Sequence, residues 1–256
     1  MKKNDIFYLS LTGIFSAIII LMTVIPQLGF ILLAPLVSVT LLHIPVLIGV
    51  FMMPKKYGIL LGLVFGVASF IRSFYPQGPL DYAFQNPLVS VLPRVLFALA
   101  AAYIFDLLKW INAKFKYGDV ITFLLVTLVT VFGLYYGANA LSLMVGWSMN
   151  WLSPIALGLG VIFLSLYYAF INSKDKTKVF FPSSLILSTV IHTILVLTAL
   201  SIFATDLVES FFPDKSVVAT IFAVAATNGL AEAIAATLIG TPILIALSNF
   251  KKFNQS

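Results

Sequence analysis

The chain has no cysteine. That excludes a disulfide frame, a thiolate nucleophile and any cysteine-built metal site. Charge is nearly as scarce: 9% of the 256 residues are Asp, Glu, Lys or Arg, against about 25% in an ordinary soluble domain. Only two histidines occur, His43 and His192, far apart in sequence, so neither a metal cage nor a cofactor is expected. There is no GxxxxGK[ST] phosphate loop, no HExxH and no GxSxG, the signatures of a self-contained ATPase, a zinc hydrolase and a serine hydrolase. No Pro/Gly/Ser-rich linker or low-complexity tract divides the chain, so residues 1–256 read as a single domain.

What is present is apolar: 61% of the residues are hydrophobic. Such a chain finds its solvent in lipid, where a spanning helix takes about 20 apolar residues. Eight apolar segments stand out, at 6–25, 37–53, 57–74, 87–111, 120–141, 151–172, 179–204 and 217–248. The fold class expected is all-α, a polytopic membrane helix bundle. The first run is longer than a secretory h-region and no A-x-A site follows it, so it is expected to be an uncleaved first span. Trp147, between the fifth and sixth segments, and Trp151, which opens the sixth, suit an interfacial aromatic belt.

The formal charge of +6 would attract nucleic acid if it were clustered on one face. Its distribution argues for topology instead, because cytoplasmic flanks collect Lys and Arg. Threaded with the N-terminus inside, the inner flanks hold Lys2 and Lys3, Lys55 and Lys56, Lys109, Lys114 and Lys116, Lys174, Lys176 and Lys178, and Lys251 and Lys252. Arg72, Arg94 and Lys215 remain on the outer side or inside the membrane. The expected location is the cell membrane, multi-pass, with both termini cytoplasmic and no nucleic-acid partner.

Polar residues inside spans need partners or water, since a mid-span Arg, Lys or Asp costs about 2.5–3.5 kcal/mol on the insertion scale. The candidates are His43, Arg72, Arg94, His192, Asn228 and Glu232. In NPLVSVLPRVLF (86–97), Asn86 can cap a helix and Pro87 suits its first turn. Pro93 removes one N–H and frees a carbonyl that a neighbour must satisfy. Arg94 follows that bend and should face protein or a wet cavity; its planar fork suits a carboxylate or phosphate. Its anion could be Glu232 in a purely structural pair, or a ligand. His43 and His192 could equally be ordinary interhelical hydrogen bonders, and Arg72 could snorkel to the interface.

Small residues form two stripes. Gly58, Gly62 and Gly66 recur every fourth residue in the third segment and suit packing within the chain; Gly13 and Ala17 in the first suit close approach of another helix. The apolar stretch 26–36 lies between two prolines, so it should pack over something, either the bundle surface or a pocket.

Taken together, VTLLHIPVLIG (39–49), PKKYGILLGLVFGVASFI (54–71), NPLVSVLPRVLF (86–97) and NGLAEAIAATLIGTPI (228–243) resemble the S components of energy-coupling factor (ECF) transporters, the vitamin-binding membrane subunits of a class of prokaryotic ABC importers. The resemblance covers the first four spans and the last two, about four-fifths of the chain. It implies a six-helix core, with 118–173 as an inserted two-helix pair. It implies a vitamin captured from outside by the fourth, seventh and eighth spans and the 26–36 loop, which places Arg94, His192, Asn228 and Glu232 in the pocket; Arg72, Arg94 and His43 on the outer side favour an acidic ligand such as pantothenate. It further implies docking through Gly13 and Ala17 on a transmembrane T component, with two cytoplasmic ATPases (A components) driving uptake. Two rival readings from other classes are a stand-alone secondary transporter and an intramembrane enzyme using Glu232 and His192 as acid and base.

Overall fold

The computed structural model describes residues 3–34, 37–76, 79–171, 180–211 and 217–253. The chain opens with α1 (Lys3–Val24) and a single turn, α2 (Pro26–Gly29). An antiparallel hairpin follows, β1 (Phe30–Ala34) with β2 (Val37–Thr40), then α3 (His43–Met52) and α4 (Lys55–Arg72). A 3-10 turn (Pro79–Gln85) leads to α5 (Pro87–Ser90), α6 (Leu92–Lys114), α7 (Gly118–Val145) and α8 (Met149–Ile171). The last elements are α9 (Phe180–Phe203), α10 (Thr205–Phe211) and α11 (Val217–Phe253). Among these are six helices long and apolar enough to cross a membrane, at 4–24, 87–114, 118–139, 149–169, 180–203 and 231–249. α4 adds an 18-residue helix with Lys55, Lys56 and Arg72 at its two ends.

The polytopic helix bundle expected from composition is therefore observed, with one departure near the start. The segment 37–53 does not form one span. Residues 37–40 are strand, and α3 has only 10 residues, about 15 Å of helix, half of a hydrocarbon core about 30 Å thick. The described part of the stretch 26–36, residues 26–34, is likewise not an irregular loop. Phe30 pairs with Thr40, Ile31 with Val39 and Leu32 with Ser38, with a bulge between Leu32 and Ala34. Pairing satisfies backbone groups that an apolar loop would leave open, which is what lipid or a buried position demands. Pro45 is harmless in the first turn of α3, where its missing N–H has no intrahelical acceptor.

One end of the bundle gathers charged helix ends. Lys56 Nζ lies 3.1 Å from Asp5 Oδ1, tying α1 to α4, and Tyr57 donates its hydroxyl to the same carboxylate at 3.0 Å. Lys55 pairs with Asp106 of α6 at 2.7 Å. The hairpin lies at the opposite end. The core between them is built on α3, whose residues from His43 to Phe51 are all buried, packed against Leu61 and Phe65 of α4, Phe97 and Ala101 of α6 and Leu185 of α9. α8 packs on α7, and its Tyr167 reaches α9 through a 2.6 Å hydrogen bond with Ser183.

The glycine stripe of α4 is a packing device. A Cβ at Gly62 would sit 2.5 Å from the Cβ of Ala98 and 2.8 Å from the Arg94 carbonyl oxygen; at Gly58 and Gly66 it would press on the backbones of Val50 and Val91. The stripe thus lets α4 close on α3 and α6. Gly62→Val is expected to destabilise the fold by about 1–3 kcal/mol through overpacking, read as a lowered melting temperature in detergent; an unchanged melt would show that α4 and α6 have room to part.

Candidate ligand-binding site

The local chemistry of NPLVSVLPRVLF explains how an arginine is placed in the bundle. Asn86 Oδ1 accepts the Leu88 N–H at 3.0 Å and Pro87 occupies the first turn, so α5 starts as the sequence suggests. The helix breaks at Val91 and resumes at Leu92. Pro93 cannot donate to the carbonyl four residues back, that of Val89. Arg94 fills the gap itself: its Nη1 donates to the Val89 oxygen at 2.7 Å. The guanidinium is thereby turned back toward the hairpin end. It lies over the rings of Phe84 at 4.8 Å and Phe65 at 5.5 Å, contacts that hold a cation by its attraction to the ring faces. Arg94 is 7% exposed and does not face lipid.

Three more of the candidate residues meet it there. Glu232 of α11 is buried, lies within electrostatic reach of Arg94 and makes no direct ion pair with it. Instead its Oε1 accepts the Thr40 N–H at 2.8 Å, which ties the end of β2 to α11. His43, at the start of α3, and His192, of α9, stack with ring centroids 5.6 Å apart and planes 12° apart. His192 also packs on Phe97 at 4.7 Å and Phe65 at 5.7 Å. Five separate elements, α3, α4, α6, α9 and α11, thus converge beneath the hairpin.

The polar atoms of this cluster are not satisfied among themselves. Arg94 Nε and both ring nitrogens of His192 are buried without a hydrogen-bond partner; those of His43 make no hydrogen bond of normal geometry, although the Thr40 backbone lies beside them. A buried polar group left unpaired costs about 1–3 kcal/mol, and such groups call for an explanation. Guanidinium donors, two imidazoles and a carboxylate, walled by aromatic rings, suit a small organic ligand carrying a carboxylate together with hydroxyl or amide groups. A metal site has less support: among the described residues no three His, Cys, Asp or Glu side chains converge.

Arg72, Gly13 and Ala17 lie away from this cluster. Arg72, at the end of α4, donates Nη1 to the Tyr75 carbonyl oxygen and lines a groove between α1 and α4. Asn228 precedes Glu232 by one turn in α11, and its side chain lies outside the described residues. Gly13 and Ala17 are exposed on α1, and a Cβ at Gly13 would meet nothing within 4 Å. Sequence reasoning missed Thr40, Phe65, Phe84 and Phe97. It also missed a run of buried hydroxyls below His192: Ser184 and Ser188, whose oxygens lack partners. Their four-residue spacing to His192 was a signal that helical periodicity offers.

Comparison with known proteins bears on the family of the chain. Residues 7–149 match the family described as ECF transporter, substrate-specific component. A pantothenate transporter, PanT, from Leuconostoc mesenteroides is 30% identical over 118 residues, which is 44% of this chain and 57% of that relative. The alignment thus spans little more than half of the relative's length. The family match includes most of α1, together with His43, Arg72 and Arg94, and ends before His192 and Glu232. Over more than half its length, then, this chain carries the family's pattern, and it belongs to the substrate-specific components of ECF transporters.

Proposed function

We propose that this chain captures a small carboxylate vitamin, of which pantothenate is the first to test, and presents it for ATP-driven uptake by partner subunits. The observation that carries the reading is the convergence of Arg94, Glu232, His43 and His192 under the hairpin, with guanidinium and imidazole nitrogens left unpaired. Similarity to the Leuconostoc pantothenate transporter supports the choice of ligand. In this reading the hairpin faces outward and both termini are cytoplasmic, in keeping with the lysines at the opposite end. Arg94 takes the ligand carboxylate, His43 and His192 supply hydrogen bonds to its polar groups, and Asn228 stands one turn from Glu232. The Thr40–Glu232 bond latches the hairpin over the ligand.

The power comes from elsewhere: a transmembrane T component, docked on α1 at Gly13 and Ala17, and two cytoplasmic A-component ATPases. Residues 118–173, the α7–α8 pair, are an addition to a six-helix core, attached to it in part by the Tyr167–Ser183 bond. The test is reconstitution into liposomes. Pantothenate uptake is expected only when T and A components and ATP are all supplied; uptake by this chain alone, driven by a proton or sodium gradient, would establish a secondary transporter instead.

The latch gives a kinetic prediction. Glu232→Gln keeps an acceptor for the Thr40 N–H, whereas Glu232→Ala removes it. Ligand release is expected to be about tenfold faster in the alanine variant, the effect of losing a hydrogen bond of about 1.4 kcal/mol, and slowed back toward wild type in the glutamine variant. Stopped-flow release rates that are equal in the two variants would show that the latch does not hold the ligand.

A further inference from the structure

Arg72 is left over from the site, and its surroundings suit a different ligand. It stands at the end of a groove of about 640 Å³ between α1 and α4. Ile20 and Val24 form one wall, and Val64 and Val67 the other; Tyr75 closes the end beside Arg72. The one hydroxyl on the α1 wall, that of Thr23, is occupied by the Ile19 carbonyl at 2.7 Å. The groove therefore offers apolar surface along its length and a guanidinium at its mouth. Among the described residues, that guanidinium commits one donor, to the Tyr75 carbonyl, out of five it carries.

The dimensions agree with a lipid. From Leu63 to Arg72 the groove follows α4 for about 14 Å, and one leaflet of the hydrocarbon core is about 15 Å deep. An acyl chain lying in the groove would bring its phosphate to the level of Arg72, where a bidentate guanidinium–phosphate contact is favourable. A second concavity, lined by Tyr82, Asn86 and Asp206, carries an acid and suits no anion. We propose that the α1–α4 groove is a binding site for one anionic phospholipid, with an acyl chain between the helices and the phosphate held by Arg72.

The test is native mass spectrometry of the delipidated full chain titrated with phosphatidylglycerol, and with diacylglycerol of the same acyl chains as the phosphate-free control. Wild type is expected to retain one phosphatidylglycerol in preference to diacylglycerol. Arg72→Gln should lower phosphatidylglycerol retention at least tenfold and leave diacylglycerol unchanged. Val67→Trp, which fills the groove from a lipid-exposed position, should lower both, while Leu124→Trp on the exposed face of α7 should lower neither. Equal retention by Arg72→Gln and wild type overturns the proposal. So does an equal loss in Leu124→Trp and Val67→Trp, or the absence of any one-to-one lipid on wild type, the outcome expected of a groove reserved for a partner's helix. No vitamin or partner subunit enters this experiment, so it stands apart from the test of uptake.

Discussion

Replacing Arg94 with alanine is expected to weaken pantothenate binding by about 2 kcal/mol or more, at least about thirtyfold in Kd. The side chain does two things, and alanine removes both. Its Nη1 satisfies the Val89 carbonyl that Pro93 leaves open, and its remaining donors are the site's nearest cationic partner for an incoming carboxylate. Loss of the first destabilises the fold by about 1–3 kcal/mol; loss of the second acts on affinity. The two separate with a ligand analogue in which an alcohol replaces the carboxylate. Wild type should bind the acid more tightly than the alcohol, and Arg94→Ala should bind them about equally, because the group that told them apart is gone. Arg94→Lys keeps the charge and loses the fork, and should fall between. A preference for the acid that survives in Arg94→Ala would remove the guanidinium from the site and leave it as a helix-break cap.

The second large effect is expected far from the ligand. Gly13→Leu should leave binding by the isolated chain unchanged and reduce uptake by the full transporter more than tenfold. The side chain at position 13 has no neighbour within 4 Å to displace, and replacing glycine inside a helix adds about 1 kcal/mol of helix stability. The variant should therefore fold at least as well as wild type. What it loses is the shallow surface formed with Ala17, on which a second helix can approach closely. Pull-down of the T component and cellular uptake should fall together. Uptake at the wild-type level would place the docking face elsewhere on the chain.

Much of the fold was legible because lipid imposes a simple rule on composition. Seven of the eight apolar segments became helices with ends within a few residues of those read from hydropathy. The exception is informative. From Ile25 to Phe51 the chain is apolar almost throughout, so hydropathy offers no contrast between strand and helix there. The alternation of Val37, Ser38, Val39 and Thr40 was the available strand signal, and it is too short to outweigh the run around it. The candidate site was legible in part. Polar residues in spans pointed to Arg94, Glu232, His43 and His192, and the structure brings these together. Depth along a helix did not reveal that Arg72 stands apart, since a long side chain at a helix end can turn several ways. Nor did it reveal the aromatic wall, because the chain holds 23 Phe and 10 Tyr and any lipid-facing helix uses them. The role of Thr40 depends on a strand pairing that no local pattern announces.

The most direct measurement is a calorimetric titration of the purified chain alone with pantothenate, without T component, ATPases or nucleotide. One saturable site per chain, lost or strongly weakened in Arg94→Ala, is the result expected of a capturing subunit whose site lies under the hairpin. Absence of saturable binding, or binding of equal strength in wild type and Arg94→Ala, would contradict it.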